Sequence, residues 1–168
     1  FVNATGWPHP DHKTTARDLA IIAKQTIQDF PDYYHYYSET SFTYNGIRQP
    51  NRNPLLFKDM GADGLKTGHT ESAGFGLAAT AKKGKKRLIL VLNGLKSVKA
   101  RSKESERLLE WGFREFDNYA LFQAGETVTE ADVWLGDSPF VPLVVKEGIT
   151  ITMPRKARRK RRVSGAYE

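Results

Sequence analysis

The sequence predicts a mixed α+β fold, and three observations support this. Two segments, residues 15–30 and 100–117, carry apolar side chains at helical spacing. Short apolar segments between and after them are separated by Gly, Asn and Pro, which mark turns between strands. Asn45-Gly46 is the strongest short hairpin signal that a sequence offers. Helices and hairpin-linked strands in one chain indicate an antiparallel sheet with helices packed on it.

The first helix begins at a capping signal. Thr15 and Asp18 have the spacing of a capping box, in which each side chain accepts a hydrogen bond from the other residue's backbone N–H. An apolar stripe follows at Leu19, Ala20, Ile22, Ala23 and Ile27. Pro31 ends the helix because it lacks an N–H group, and the aromatic cluster Tyr33–Tyr37 is expected to pack in the core.

Four strands are predicted in the part of the chain that follows. Residues 41–44 begin a hairpin whose return arm is polar and irregular, and residues 62–66 form the next strand, followed by a turn at 68–74. Residues 76–81 and 87–93 form two further strands, joined by a charged, hairpin-like turn.

A change of pattern indicates a second domain. The second helix covers about residues 100–117, and one of its faces carries Leu108, Leu109, Gly112, Phe113 and Phe116. After Asn118 the chain has only short β-like segments, which Pro139, Pro142 and Pro154 interrupt. We therefore predict one domain over residues 1–119 and an incomplete β-rich domain over residues 120–168.

The net charge of +7 comes almost entirely from one segment. Residues 155–162 hold seven of the 26 basic residues, and residues 1–154 hold 19 basic against 18 acidic residues. Such a tract binds phosphates or anionic membrane surfaces in some proteins, or is simply solvated. The nearly neutral body, and the lack of aromatic residues within the tract, argue against nucleic acid as a partner.

Residues 63–70, with the sequence Asp-Gly-Leu-Lys-Thr-Gly-His-Thr, carry the most informative motif. A Lys-Thr-Gly triplet at the end of a strand, here Lys66-Thr67-Gly68, is part of one type of serine acyl-transfer machinery. That chemistry also needs a nucleophilic Ser followed three residues later by Lys. None of the eight serines has a Lys at that position. We therefore expect that this chain alone lacks the nucleophile.

Several other segments, taken together with this motif, resemble one protein family. It is the low-molecular-mass penicillin-binding proteins, which are D-alanyl-D-alanine carboxypeptidases of the serine penicillin-recognising superfamily. The resemblance covers nearly the whole chain in the family's order. It rests on residues 1–6 (FVNATG), 37–39 (YSE), 45–47 (NGI), 51–53 (NRN), 63–70 and 107–112 (RLLEWG).

The resemblance implies an architecture and a location. Residues 1–119 would be the C-terminal half of a β-lactamase/transpeptidase-like catalytic domain, and residues 120–168 the start of a small all-β domain. The S-x-x-K and S-x-N segments would lie upstream of Phe1, so the missing N-terminal half is an expected partner. The parent protein would lie in the bacterial periplasm at the outer face of the cytoplasmic membrane, with peripheral membrane contact.

The resemblance also implies a reaction and a set of site residues. The substrate would be a peptidoglycan stem peptide ending in D-Ala-D-Ala, which β-lactam antibiotics mimic, and no cofactor would be needed. Lys66 would supply positive potential, and the backbone N–H of His69 would be an oxyanion donor. Thr67 and Gly68 would contact substrate. Arg52 and Arg101 would help to attract its carboxylate.

Simpler interpretations remain open for several of these residues. The His69 side chain could be an ordinary surface imidazole, and Arg52 could cap loop carbonyls. Arg101 could pair with Glu104 or Glu106 on its own helix. A metal site formed by His9, Asp11 and His12 is not expected, because this Pro-broken loop lacks a third or fourth ligand.

Two other functions are compatible with parts of the sequence. A β-lactamase of the same superfamily would share the Lys-Thr-Gly strand, but the β-rich segment after the second helix and the match at residues 1–6 argue against it. A non-catalytic module that binds anionic partners would use the basic tract at 155–162. Retention on heparin or anionic vesicles at physiological salt would favour that module.

Overall fold

A computed structural model describes residues 1–160 of the chain and divides it into two compact units. The first unit is Phe1–Phe113, and the second begins at Arg114. The mixed α+β fold predicted from the sequence is confirmed in the elements described below. Among the described residues, no helix is long and apolar enough to cross a membrane.

The capping box predicted for the first helix is present. Helix α1 runs over Ala16–Asp29, and the Asp18 N–H donates to Thr15 Oγ1 at 3.1 Å while the Thr15 N–H donates to Asp18 Oδ2 at 3.0 Å. Pro31 begins a short second helix, α2 (Pro31–Tyr34), which a 3₁₀ turn at His35–Ser38 follows. The expected aromatic core is wrong for most of this segment, because Tyr33, Tyr36 and Tyr37 are exposed and only Tyr34 is half-buried.

Strands β1 (Ser41–Tyr44) and β2 (Ile47–Pro50) form the predicted hairpin. Asn45 and Gly46 both have positive φ, 47° and 74°, as a type I′ turn requires. The return arm is more regular than expected, since it stays paired with β1 as far as Pro50.

Three antiparallel strands form the sheet of the first unit. Strands β3 (Ala62–Thr70), β4 (Gly74–Lys83) and β5 (Lys86–Leu95) lie in the order β3-β4-β5, and helix α3 (Val98–Glu115) follows them. The turn expected at residues 68–74 is therefore wrong. The strand continues through Thr70, because residues 66–70 pair with residues 74–78 of β4.

The core of the first unit lies where α3 and the 3₁₀ turn at Pro54–Phe57 meet the sheet. Its buried members come from all of these elements, and Gly112 of α3 lies so close to Leu88 that an added Cβ would be 2.8 Å from Leu88 Cδ1. The buried members are Leu55, Met60, Leu77, Ala79, Ala81, Leu109 and Phe113. This packing fixes β4 at the centre of the sheet and leaves β3 at one side.

The second unit consists of two strand pairs. Strand β6 (Phe116–Phe122) pairs with β9 (Ile149–Pro154), and β7 (Thr127–Asp132) pairs with β8 (Phe140–Val144). Strand β6 is not predicted from the sequence, because its first residues continue the apolar pattern of the preceding helix. The basic tract begins in a 3₁₀ turn over Arg155–Lys160, and its last two residues lie outside the described part of the chain.

A polar cluster joins four elements of the first unit at the start of β3. The two terminal guanidinium nitrogens of Arg87 on β5 contact Asp63, Nη1 to Oδ1 at 2.8 Å and Nη2 to Oδ2 at 2.7 Å. The hydroxyl of Thr80 on β4 donates to Asp63 Oδ1 at 2.6 Å, and the hydroxyl of Tyr34 on α2 donates to the same oxygen at 3.1 Å. The Tyr34 and Thr80 hydroxyls also contact each other.

The cluster shifts the pKa of each of its ionisable members. Burial raises the pKa of Tyr34 to about 12, and the nearby Asp63 carboxylate adds to this shift. Burial would raise the pKa of Asp63, but hydrogen bonds from Arg87 and Thr80 outweigh it and the net shift is downward. Burial would lower the pKa of Arg87, but its hydrogen bond to Asp63 outweighs this and the net shift is upward. The cluster thus favours neutral tyrosine beside an ion pair.

The raised pKa of Tyr34 predicts a loss of stability at alkaline pH. Its pKa is about 12 in the folded protein against a reference value of 10.0, so its contribution is complete below pH 10 and is lost as the pH rises to about 12. Tyr34→Phe should remove one tyrosinate absorbance transition near pH 12. Tyr33→Phe is the control, because that side chain is exposed and makes no contact with the cluster. An unchanged high-pH transition in Tyr34→Phe would contradict the role given to the cluster.

Candidate functional site

The Lys-Thr-Gly motif lies in the second half of β3, at one edge of the three-stranded sheet. Within the described residues β3 pairs with β4 alone, so its other edge has no strand partner. Side chains alternate along it: Leu65 and Thr67 are buried, whereas Lys66 and Gly68 are exposed. A free strand edge is the structure that binds an extended peptide by main-chain hydrogen bonds.

The Lys66 ammonium lies beside its own strand. Its Nζ donates to the carbonyl oxygen of Thr67 at 2.6 Å. No carboxylate in the described part of the chain pairs with it, although Lys58, Arg87 and Arg107 all have acidic partners. The positive charge of Lys66 is therefore not neutralised locally.

Thr67 and Gly68 have local environments that differ from those of structural residues. Thr67 is only 8% exposed, and its hydroxyl makes no hydrogen bond to any other described residue. A Cβ added at Gly68 would meet no atom within 4 Å, and the backbone there has no positive φ. Neither packing nor backbone conformation in the described residues thus requires glycine at position 68.

The His69 ring is exposed and stacks on Phe75, its register partner on β4. The ring centroids are 4.0 Å apart, with an angle of 27° between the planes. The stacking involves the face of the imidazole ring and does not involve the backbone N–H of His69.

Arg101 approaches the same strand from α3. Its side chain is buried, with 5% exposed, and Nη1 lies 3.5 Å from the Gly68 carbonyl oxygen. The alternative in which it pairs with a neighbouring glutamate is wrong. Glu104 instead pairs with Arg107 at 2.9 Å, and Glu106 pairs with Lys58.

Arg52 differs from the other site residues predicted from the sequence. Its side chain is exposed and forms no hydrogen bond or ion pair with another described residue, so it does not cap loop carbonyls. The structure brings Lys66, Thr67, Gly68, His69 and Arg101 together at one strand, with Arg52 in the loop before the 3₁₀ turn at Pro54–Phe57.

The neighbour of Arg52, Asn53, is a positioning residue that the sequence analysis did not single out. It is 1% exposed, and its Nδ2 donates to the Gly64 carbonyl at 2.9 Å while its Oδ1 accepts from the Leu55 N–H at 3.1 Å. The sequence does carry a signal for this residue, because Asn before Pro54 is the typical start of a helical turn. Asn53 thus fixes the turn to β3 next to the motif.

A groove of about 740 Å³ continues from the end of β3. One wall is formed by residues 5–8, which include Trp7, and the other by residues 69–72, which include His69 and Glu71. Trp7 is 75% exposed, so the groove has an aromatic side chain available for contacts. It adjoins the motif strand at His69 and Thr70.

The loop with His9 and His12 makes local hydrogen bonds. His9 Nδ1 accepts from the Asp11 N–H at 3.2 Å, and His12 Nδ1 accepts from the Val2 N–H at 3.2 Å. Within residues 1–160, no group of three or more His, Asp or Glu side chains is arranged to hold a metal ion.

Comparisons with known proteins match both parts of the chain. The family model described as D-alanyl-D-alanine carboxypeptidase matches residues 1–97, and the model of the penicillin-binding protein 5 C-terminal domain matches residues 116–165. The carboxypeptidases DacD of Salmonella typhimurium and DacA of Escherichia coli K12 are each 40% identical to it. Both alignments cover 92% of this chain, which spans 40% and 41% of the respective relatives.

Solved structures give the same assignment. Penicillin-binding protein 5 from Haemophilus influenzae is 41% identical with a TM-score of 0.86, over 95% of this chain and 47% of that one. Penicillin-binding protein D2 from Listeria monocytogenes, solved with cefotaxime bound, is 34% identical with a TM-score of 0.61, over 68% of this chain and 47% of that one. From these matches and the Lys-Thr-Gly strand, we conclude that this chain belongs to the D-alanyl-D-alanine carboxypeptidase family of penicillin-binding proteins.

Proposed function

We propose that this chain supplies the sheet-edge part of the active site of a serine-type D-alanyl-D-alanine carboxypeptidase. The observation that carries the proposal is the free edge of β3, where Lys66 has no acidic partner and the Thr67 hydroxyl has no internal hydrogen bond. Both groups are therefore available to a ligand. The nucleophilic serine belongs to an S-x-x-K segment that is not part of this sequence.

The proposed reaction proceeds through an acyl-serine. The serine oxygen attacks the carbonyl carbon of the penultimate D-Ala, its proton passes to the departing amine, and the terminal D-Ala leaves as the peptide bond breaks. Water then attacks the ester carbonyl, which releases the shortened peptide and returns the proton to serine. A β-lactam would acylate the same serine, and the amide bond of its ring would break in place of the peptide bond. Penicillin-binding protein D2 from Listeria monocytogenes binds the β-lactam cefotaxime, which supports this part of the proposal.

Lys66 and His69 have the proposed catalytic roles. An unpaired ammonium at the strand edge favours the anionic transition state and eases proton transfer among nearby hydroxyl and amine groups. The backbone N–H of His69 would donate to the oxyanion that forms on the carbonyl oxygen, together with the N–H of the nucleophile. The imidazole, which stacks on Phe75, is not needed for that donation.

Thr67, Gly68 and Arg52 have the proposed substrate-binding roles, and Arg101 contributes through its positive charge. The Thr67 hydroxyl would donate to the terminal carboxylate of the substrate. Gly68 would let the peptide approach the backbone, which its lack of neighbouring atoms supports. The exposed Arg52 would attract the carboxylate, and the buried Arg101 would add positive potential from behind the strand.

The proposal extends to where the parent protein acts. A carboxypeptidase of stem peptides must meet peptidoglycan, so the parent would lie in the periplasm, at the outer face of the cytoplasmic membrane. The exposed Arg155 and Lys156, at the start of the basic tract, would favour peripheral contact with anionic lipid.

Lys66→Ala provides the direct test of the proposed function. The variant is made in a protein that joins this chain to the S-x-x-K and S-x-N segments. Acylation by penicillin and by a D-Ala-D-Ala peptide should slow by on the order of 10²-fold or more, because a preorganised charge is lost. Lys66→Arg should restore little, since a planar guanidinium does not replace a compact ammonium.

Lys85→Ala is the matched control for charge. Lys85 lies in the exposed turn between β4 and β5. Its replacement by alanine changes the net charge by the same amount as Lys66→Ala. It should be acylated at the unmodified rate. Acylation of Lys66→Ala at the rate of Lys85→Ala would remove Lys66 from the catalytic residues.

Two glycines of β3 predict opposite outcomes. A Cβ at Gly64 would lie 2.8 Å from the Tyr34 hydroxyl and 3.3 Å from Tyr37 Cβ, so Gly64→Ala should destabilise the fold by about 2 kcal/mol. A Cβ at Gly68 would meet no described atom within 4 Å, so Gly68→Ala should keep the melting temperature and slow acylation by about tenfold or more. Thermal unfolding and penicillin acylation measure the two effects. Full acylation by Gly68→Ala would mean that no ligand approaches position 68 closely.

A further inference from the structure

Arg101 is buried against the back of the motif strand, where it contacts a backbone carbonyl. Its side chain is 5% exposed, its Nη1 lies 3.5 Å from the Gly68 oxygen, and its guanidinium carbon is 5.8 Å from the centroid of the Phe75 ring. Phe75 in turn stacks on the His69 ring. One side chain of α3 therefore supports both the backbone and the aromatic pair at the end of β3.

The charge of Arg101 has few competing partners. Its Nε is buried and makes no hydrogen bond among the described residues, and burial lowers the pKa of the guanidinium. The nearest glutamates along its helix are taken by Arg107 and Lys58. Burying a guanidinium costs free energy unless polar atoms interact with its charge. On β3, the Gly68 carbonyl oxygen is the polar atom that Arg101 contacts.

The Gly68 oxygen and the His69 N–H belong to the same amide group. The peptide bond between Gly68 and His69 is trans, so the N–H points away from the carbonyl oxygen that Arg101 contacts. A cation at the carbonyl oxygen withdraws electron density from the amide and strengthens the N–H as a donor, as hydrogen bonds in a chain polarise one another.

We infer that Arg101 is a positioning residue that strengthens and orients the His69 N–H as the oxyanion donor. This inference rests on the proposed function, in which that N–H faces the substrate carbonyl. Arg101 acts through the Gly68–His69 amide and does not touch the substrate. The Phe75 ring contacts both the guanidinium and the imidazole, so Arg101 and His69 share one aromatic neighbour.

This role differs in a measurable way from binding of the substrate carboxylate. An oxyanion forms on the carbonyl oxygen of every substrate that acylates the serine. Loss of Arg101 should therefore slow acylation by a substrate with a free carboxylate and by its blocked amide to the same extent. Loss of a carboxylate-binding group should affect only the first substrate.

The experiment compares Arg101→Met, Arg101→Lys and Thr67→Val in the chain joined to the S-x-x-K and S-x-N segments. Arg101→Met keeps the length and the packing on Phe75 but removes the charge. Its acylation rate should fall by about tenfold with both substrates, less than the 10²-fold or more that removal of an oxyanion donor costs. Arg101→Lys should recover part of that loss. Thr67→Val should slow only the substrate with the free carboxylate.

A spectroscopic measurement tests the amide directly. The acyl-enzyme is formed with a ¹³C-labelled carbonyl, and its infrared stretch reports the hydrogen bonds to that oxygen. The stretch should move to higher wavenumber in Arg101→Met, because a weaker donor polarises the carbonyl less. Arg101→Lys should lie between the two, and Thr67→Val should keep the unmodified value.

The outcomes separate this inference from the proposed function. Suppose that the unmodified joined protein is acylated. If Arg101→Met then loses rate only with the free carboxylate, the inference is overturned and Arg101 binds the carboxylate. If Arg101→Met keeps the carbonyl stretch of the unmodified protein, the inference is overturned as well. If the unmodified joined protein is not acylated at all, the proposed function itself fails. If Arg101→Met does not fold, an unshifted stretch and an unchanged rate in Arg101→Lys overturn the inference, because a lysine places its charge differently from the fork of arginine.

Discussion

The two-pronged ion pair between Asp63 and Arg87 is the interaction on which the site depends. It joins the start of β3 to β5, and the hydroxyls of Thr80 and Tyr34 bring β4 and α2 to the same carboxylate. Losing one partner of a half-buried pair leaves an uncompensated charge, so the cluster resists rearrangement. One residue further along β3, Asn53 binds the Gly64 carbonyl. With its first half held at two points, β3 has little freedom to move where it carries the motif.

Burial of the side chains alternates in the second half of β3, so a firmly held strand exposes some of its groups to solvent. In the half of β3 that carries the motif, Leu65 and Thr67 are buried, whereas Lys66, Gly68 and His69 are exposed. The two glycines of β3 differ in their surroundings: a Cβ at Gly64 would lie against the Tyr34 hydroxyl, whereas a Cβ at Gly68 would meet no described atom within 4 Å. The Lys66 ammonium and the His69 N–H, to which we assign the proposed catalytic roles, thus lie on a strand rather than on a loop, and such a rigid position suits electrostatic catalysis.

Local signals predicted much of the fold, and long-range contacts account for what they missed. The Thr15–Asp18 box and the Asn45-Gly46 turn are short-range interactions, so the sequence predicts them directly. Strand β6 was missed because pairing with β9, more than 25 residues away in sequence, overrides a helical pattern. The Lys-Thr-Gly motif is recognisable in the sequence itself, whereas His69, Arg52 and Arg101 were predicted from the family resemblance. The contact between Arg101 and Gly68, and the role of Phe75, could not be predicted because they depend on how α3 crosses the sheet.

The central claim is that this chain holds the binding and polarising groups while the nucleophile lies in another segment. Mass spectrometry after exposure to a penicillin tests it most directly, on this chain alone and on the chain mixed with a polypeptide that carries S-x-x-K and S-x-N. We expect no covalent adduct on the chain alone, and an adduct on the serine of S-x-x-K once the two assemble. A stable acyl adduct on any of the eight serines of this chain would contradict the claim.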